Sequence, residues 1–212
     1  MLDTSRPITY LITTGKARPE NFDESSRAIS IVVAAAVQEG VDLIQVREKH
    51  LTGRLLYDLV VRMRGLTSGS STRLLVNDRL DIALASGADG VHLTSMSIRA
   101  DVVRENAPQG FLVACSVHSP GEAKAAKREG ADLCVYGPVF ETPGKGAPQG
   151  VGRLHEVCEL VKPFPVLAIG GINKRNVQAA LDAGAAGIAA IRALNNVEQM
   201  KTLISSVPGG PA

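Results

Sequence analysis

Four polar residues close an apolar run in the segment Gln45-Val46-Arg47-Glu48-Lys49. Side chains two apart on a strand share a face, so Gln45, Arg47 and Lys49 can converge on one site. Two cations there suit an anion such as a phosphate or diphosphate; the competing expectation is pairing with Glu48 and nearby acids. Asn77-Asp78-Arg79 closes a second run. Asp78 suits Mg²⁺, which takes one or two carboxylates beside substrate phosphate oxygens; Asn77 or Asp78 equally suits the N-cap of a following helix. His92 and His118 end two further runs, with Ser116 two residues before His118. Two imidazoles at one site point to acid–base work or a polar ring. Lys145 stands between Gly144 and Gly146 in a segment, 137–152, dense in Gly and Pro, and is placed to close over a phosphate. Gly170-Gly171 and Ala190-Ile191-Arg192 end two more runs. Paired glycines let backbone N–H groups approach phosphate oxygens closely.

These residues all end short apolar runs, and a repeated phrase explains the arrangement. Gly40-Val41-Asp42 recurs as Gly87-Ala88-Asp89, Gly130-Ala131-Asp132 and Gly184-Ala185-Ala186. Each copy closes an Ala- and charge-rich helical pattern and opens a run too short for a helix, which reads as a buried parallel strand. Each interval is long enough for two strand–helix units, since about 30 residues make one βαβ unit. Eight such units predict a single (β/α)8 barrel over 1–212, with a frayed tail from about 207. Strands are expected at 8–12, 43–46, 73–76, 90–93, 111–116, 133–136 and 166–169, with an eighth before Arg192. Helices are expected between them, and no regular structure over 137–152. The rule that barrel sites sit at strand C-termini then selects the residues above. It also favours phosphate sites after strands seven and eight, at Gly170, Gly171, Ala190 and Ile191.

Composition narrows the function classes. The chain has 212 residues, 45% hydrophobic, with a formal charge of +2. That supports a full core and gives no basic stripe for nucleic acid. No leader or membrane-spanning run is read from the sequence, and the three cysteines, Cys115, Cys134 and Cys158, are expected to be reduced core residues of a cytoplasmic protein. The expected partners are small phosphorylated molecules, with neither nucleic acid nor membrane; a homo-oligomer is compatible with the sequence.

The segments Gln45 to Lys49, Leu75-Val76-Asn77-Asp78-Arg79, Gly87 to Leu93, Ser116-Val117-His118-Ser119, Gly137-Pro138-Val139-Phe140 and Ala168-Ile169-Gly170-Gly171-Ile172 together resemble the thiamin phosphate synthase/TenI family. The resemblance runs in order along nearly the whole chain. It implies a barrel in thiamin biosynthesis and one of two chemistries. A synthase joins hydroxymethylpyrimidine diphosphate to thiazole phosphate with Mg²⁺. A TenI-type tautomerase aromatises a carboxythiazole phosphate by proton transfer, without cofactor. By position, the resemblance implies that Gln45 holds the pyrimidine and Arg47, Lys49 and Asn77 the diphosphate. It makes Asp78 a Mg²⁺ ligand in a synthase, Ser116 and Lys145 substrate contacts, and Gly171 with the backbone of Ala190 and Ile191 the thiazole phosphate site. His118 matches the acid–base histidine of the tautomerases, and His92 falls in the same ring.

The departures from the family pattern bear on the reaction. Thr94-Ser95-Met96-Ser97 stands where synthases carry an acidic segment with a second metal ligand. Glu141-Thr142-Pro143-Gly144-Lys145 departs from the usual opening of its loop, and His50 replaces a common Asp. Retention of Lys49 and Asp78 pulls the other way. The expectation on balance is a tautomerase using His118 and Lys145, with the synthase as its alternative. A non-catalytic thiazole-phosphate-binding barrel is a third reading.

Overall fold

Inward- and outward-facing residues alternate along every strand of a closed parallel barrel, in the order β1 to β8. The computed structural model describes residues 4–209. The strands are β1 (Ile8–Ile12), β2 (Leu43–Val46), β3 (Arg73–Asn77), β4 (Gly90–Leu93), β5 (Leu112–Val117), β6 (Leu133–Tyr136), β7 (Val166–Ile169) and β8 (Gly187–Ala190). The helices between and after them are α1 (Phe22–Gln38), α2 (Gly53–Thr67), α3 (Leu80–Ala85), α4 (Ala100–Asn106), α5 (Pro120–Arg128), α6 (Gly150–Val161), α7 (Val177–Asp182) and α8 (Val197–Ile204). The (β/α)8 architecture is the one expected from the repeats.

Two cores follow from the alternation. Ile8, Tyr10, Ile12, Leu43, Leu75, Ala114, Leu133, Val135, Leu167 and Ala189 fill the barrel interior. Leu11, Ile44, Leu74, Val76, Val91, Val113 and Ile188 face outward and meet helix residues such as Val33, Leu59, Met63 and Leu154. Burying each such aliphatic side chain is worth about 1.5–3 kcal/mol.

The repeated phrase works at the opposite end of the barrel from the candidate site. Gly40, Gly87, Gly130 and Gly184 all have positive φ, which lets each helix end abruptly. The aspartates that follow bind the start of a neighbouring strand. Asp42 accepts from the Thr9 N–H at 2.8 Å, Asp89 from Leu74 at 2.8 Å and Asp132 from Val113 at 2.7 Å. Arg6, Arg73 and Arg104 pair with the three carboxylates in turn. The fourth copy has Ala186 in place of the aspartate.

Strands β3 and β5 end one residue later than expected, and three further differences have a physical reason. Helix α6 starts at Gly150, inside the segment expected to be irregular, because the N–H groups of Gln149 and Gly150 are held by the carbonyls of Pro138 and Val139. A 3-10 turn, Pro19–Asn21, forms in the first loop, with Pro in its first turn. Val207, placed in the frayed tail from sequence, is buried and hydrogen-bonded to Ile204; residues 210–212 of that tail lie outside the described residues.

Candidate active site

The inward-facing positions nearest the strand C-termini form the floor of a cavity of about 890 Å³. Gln45, Asn77, His92, Ser116, Val135, Ile169 and Ala189 line it. Gln45, Asn77, Ser116, Val135 and Ile169 each sit two residues beyond an interior core residue on their own strands, and His92 and Ala189 sit two beyond Gly90 and Gly187, so strand parity brings them together. The next inward turn adds Arg47, Lys49, His118, Gly170, Gly171, Ala190 and Ile191, and the β6–α6 loop adds Glu141, Thr142 and Lys145. Every residue selected from sequence therefore lines one cavity except Asp78.

Cations gather on the β2 side. The Lys49 ammonium is held below its ordinary value, first by desolvation, then by Arg47 and Lys145, while Asp78 acts in the opposite direction. Two cations that disfavour the charge on a third create a site for a multiply charged anion. Arg47 is positioned by Thr13, whose hydroxyl accepts its backbone N–H at 2.8 Å. Glu48 points away from this group. It is buried and accepts from the N–H groups of Gly15 and Ala17 at 3.0 and 2.8 Å, which folds the β1–α1 loop against the barrel. The alternative expectation, that Glu48 neutralises Arg47 and Lys49, is thus not what the structure holds.

The polar floor is ordered by hydrogen bonds. Gln45 Nε2 donates to Asn77 Oδ1 at 3.0 Å. Gln45 Oε1 is buried without a hydrogen-bond partner among the described residues. Such an acceptor is costly unless a ligand donor completes it. Tyr10, His92 and Ser116 form a chain, with Tyr10 Oη 3.0 Å from His92 Nδ1 and His92 Nε2 2.8 Å from Ser116 Oγ. Burial, with Arg47 nearby, pushes the His92 pKa down to about 3, so it is neutral at ordinary pH. His118 is exposed to the cavity mouth, with its ring held by the Gly137 carbonyl at 2.7 Å.

Asp78 has φ of 65°, a left-handed conformation that Asp tolerates better than most residues. The N-cap position of α3 belongs to Arg79, and the Asp78 carboxylate makes no hydrogen bond among the described residues. Neither Asn77 nor Asp78 caps the helix, which removes the structural alternative for both. Among the described residues no group of three His, Cys, Asp or Glu is arranged to hold a metal. One free carboxylate beside Lys49 fits a Mg²⁺ held largely by substrate phosphate oxygens.

On the far wall, Gly170 and Gly171 have φ of 99° and 65°. A Cβ at Gly170 would lie 2.6 Å from Pro138 Cα, and one at Gly171 would lie 2.5 Å from the Glu141 carbonyl oxygen. The pair therefore admits the β6–α6 loop across the end of β7. Sequence reasoning did not select Arg192, Gln199 or Asn173, which also line the cavity. Arg192 carried the strand-end signal; Gln199 reaches the mouth from α8 and had none.

The sequence profile of the family described as thiamine monophosphate synthase matches residues 9–194. The chain belongs to the thiamine monophosphate synthase family. Among the relatives of this synthase family, a Geobacter sulfurreducens protein provisionally named a thiamine-phosphate synthase is 41% identical over 206 residues, covering 94% of this chain and 93% of that protein. The thiamine-phosphate synthase of Methanoculleus marisnigri is 41% identical over 162 residues, 75% of this chain and 76% of its own length. The solved structure of a thiamine phosphate pyrophosphorylase from Pyrococcus furiosus superposes with a TM-score of 0.81 at 33% identity, covering 96% of both chains. Membership places this chain among enzymes of thiamin biosynthesis, and no helix among the described residues is long and apolar enough to cross a membrane.

Proposed function

We propose that the protein is a thiamin-phosphate synthase, joining a hydroxymethylpyrimidine diphosphate to a thiazole phosphate with release of diphosphate. The observation that carries this reading is one cavity with two anion-binding walls. Arg47 and Lys49 stand at the end of β2, within electrostatic range of Lys145 on the β6–α6 loop, and the Gly170-Gly171 turn with the backbone of Ala190 and Ile191 stands at the ends of β7 and β8. A tautomerase substrate brings one phosphate and one carboxylate, which gives a cluster of three cations less to neutralise than a diphosphate does. The names borne by the relatives support the same choice, and the weight moves from the tautomerase favoured on sequence departures to the synthase.

Each residue then has a physical task. Gln45 Oε1, the buried acceptor without a partner, takes the pyrimidine amino group. Arg47, Lys49, Asn77 and Lys145 hold the diphosphate. The bond between the pyrimidine methylene and the diphosphate oxygen breaks with its electron pair going to oxygen. The cations stabilise that charge as it develops. The thiazole nitrogen, placed by its phosphate on the glycine wall, supplies the pair for the new carbon–nitrogen bond. Asp78 would hold Mg²⁺, which when bound adds charge neutralisation at the leaving diphosphate.

The reading requires that thiazole phosphate and diphosphate occupy the protein together. Phosphorus NMR titration with Mg²⁺ present tests this: each ligand should saturate at one equivalent in the presence of the other. Mutual displacement would contradict two separate sites.

A further inference from the structure

The chain of Tyr10, His92 and Ser116 runs from the sealed barrel core into the cavity. Tyr10 is fully buried and His92 is 2% exposed, whereas Ser116 is half-buried and lines the cavity. The Tyr10 and His92 rings lie with centroids 5.7 Å apart, tilted by 46°.

Counting protons gives the chain a direction. The phenol carries one hydrogen and a neutral imidazole carries one. Among the described residues, the hydrogen-bond partner of the Tyr10 hydroxyl is His92 Nδ1. If Nδ1 carried the ring hydrogen, the phenol hydrogen would be buried without an acceptor, which native structures avoid. Nδ1 therefore accepts from Tyr10. The ring hydrogen sits on Nε2, which donates to Ser116 Oγ across 2.8 Å. That bond uses a lone pair of the serine oxygen and leaves its own hydrogen free for the cavity.

We propose that Tyr10 is a positioning residue: it fixes the Nε2–H tautomer of His92, and so sets Ser116 as a hydrogen-bond donor to the substrate. The group that Ser116 serves is an acceptor, a heteroaromatic ring nitrogen or a phosphate oxygen. Without the Tyr10 hydroxyl, Nδ1 has no partner in either tautomer, so nothing holds the His92 hydrogen on Nε2 and part of the population shifts it to Nδ1. Ser116 then donates to Nε2, and its hydrogen turns away from the substrate. The link to turnover rests on the synthase reading; the tautomer does not.

Nitrogen NMR of histidine-labelled full-length protein at neutral pH tests the proposal, with His92→Asn assigning the resonances. The ring nitrogens report directly which one carries hydrogen. The expected result is Nε2–H in the ligand-free wild type and a substantial Nδ1–H population in Tyr10→Phe. The same variant should lower kcat for thiamin phosphate about three- to tenfold, the size of one neutral hydrogen bond, with KM for thiazole phosphate unchanged. Nδ1–H in the wild type overturns the proposal. So does a Tyr10→Phe loss of activity with the His92 tautomer unchanged, because the effect would not pass through the imidazole. A changed tautomer with full activity overturns it as well. If the wild type makes no thiamin phosphate, the synthase reading fails, while the wild-type and Tyr10→Phe nitrogen shifts still decide the chain.

Discussion

His118 Nδ1 lies 2.7 Å from the carbonyl oxygen of Gly137. A carbonyl only accepts, so Nδ1 carries a hydrogen, and in the neutral ring Nε2 is the acceptor. The two cavity histidines thus hold opposite tautomers, His92 with Nε2–H and His118 with Nδ1–H. On the synthase reading His118 orients substrate and moves no proton. His118→Asn should then lower thiamin phosphate formation by less than about tenfold, the worth of one hydrogen bond. A loss of about a hundredfold or more in carboxythiazole aromatisation would instead mark acid–base catalysis and restore the tautomerase.

The cation cluster gives a second prediction. Lys49→Gln should raise KM for the pyrimidine diphosphate by about tenfold or more, since charge-assisted contacts are worth about 1.5–3 kcal/mol. KM for thiazole phosphate should hold, because its wall lies across the barrel. Steady-state kinetics with each substrate varied in turn separates the two, and equal rises in both constants would contradict the division of the cavity.

Metal binding should depend on substrate. Asp78 is one carboxylate, and Thr94-Ser95-Met96-Ser97 brings no second. Calorimetry should show weak Mg²⁺ binding to the free protein and much tighter binding once diphosphate is present. Tight binding without diphosphate would mean that other residues complete the site.

The glycine wall is open to a stability test. Gly171→Ala puts a Cβ 2.5 Å from the Glu141 carbonyl oxygen at a left-handed φ. The β6–α6 loop must move, at a cost of about 1–3 kcal/mol. Thermal unfolding should show a lower Tm, and KM for thiazole phosphate should rise. An unchanged Tm would show that the loop yields freely.

Burial of His92 has a consequence for stability against pH. Its folded pKa, about 3, lies below the unfolded value near 6.5, so the unfolded chain binds more protons between the two. Stability should therefore fall as pH drops from about 6.5 toward 3. His92→Gln should flatten that slope whatever its effect on stability at neutral pH. Denaturant unfolding at several pH values measures both slopes, and equal slopes would show that His92 is not the group responsible.

Much of this site was legible because a barrel strand has a period of two. Knowing that 43–46 is a strand is enough to send Gln45 inward and Arg47 just past it to the same face, and the same parity gathers Asn77, His92 and Ser116; Lys49 joins them from the turn that follows β2. What sequence left undecided was whether Asp78 caps α3 or stays free; that turned on a backbone φ of 65° that no pattern encodes. The start of α6 within a Gly- and Pro-rich segment was hidden because its first N–H groups are satisfied by the preceding loop. Tyr10 looked like an ordinary strand residue, and its bond to His92 spans strands β1 and β4 across the barrel interior.

The central claim is tested most directly by mixing the purified protein with hydroxymethylpyrimidine diphosphate, thiazole phosphate and Mg²⁺, and following thiamin phosphate and released diphosphate together. The synthase account predicts that both appear in equal amounts, and that omitting either substrate abolishes both. No thiamin phosphate, with turnover of a carboxythiazole phosphate to its aromatic form in the same preparation, would contradict it.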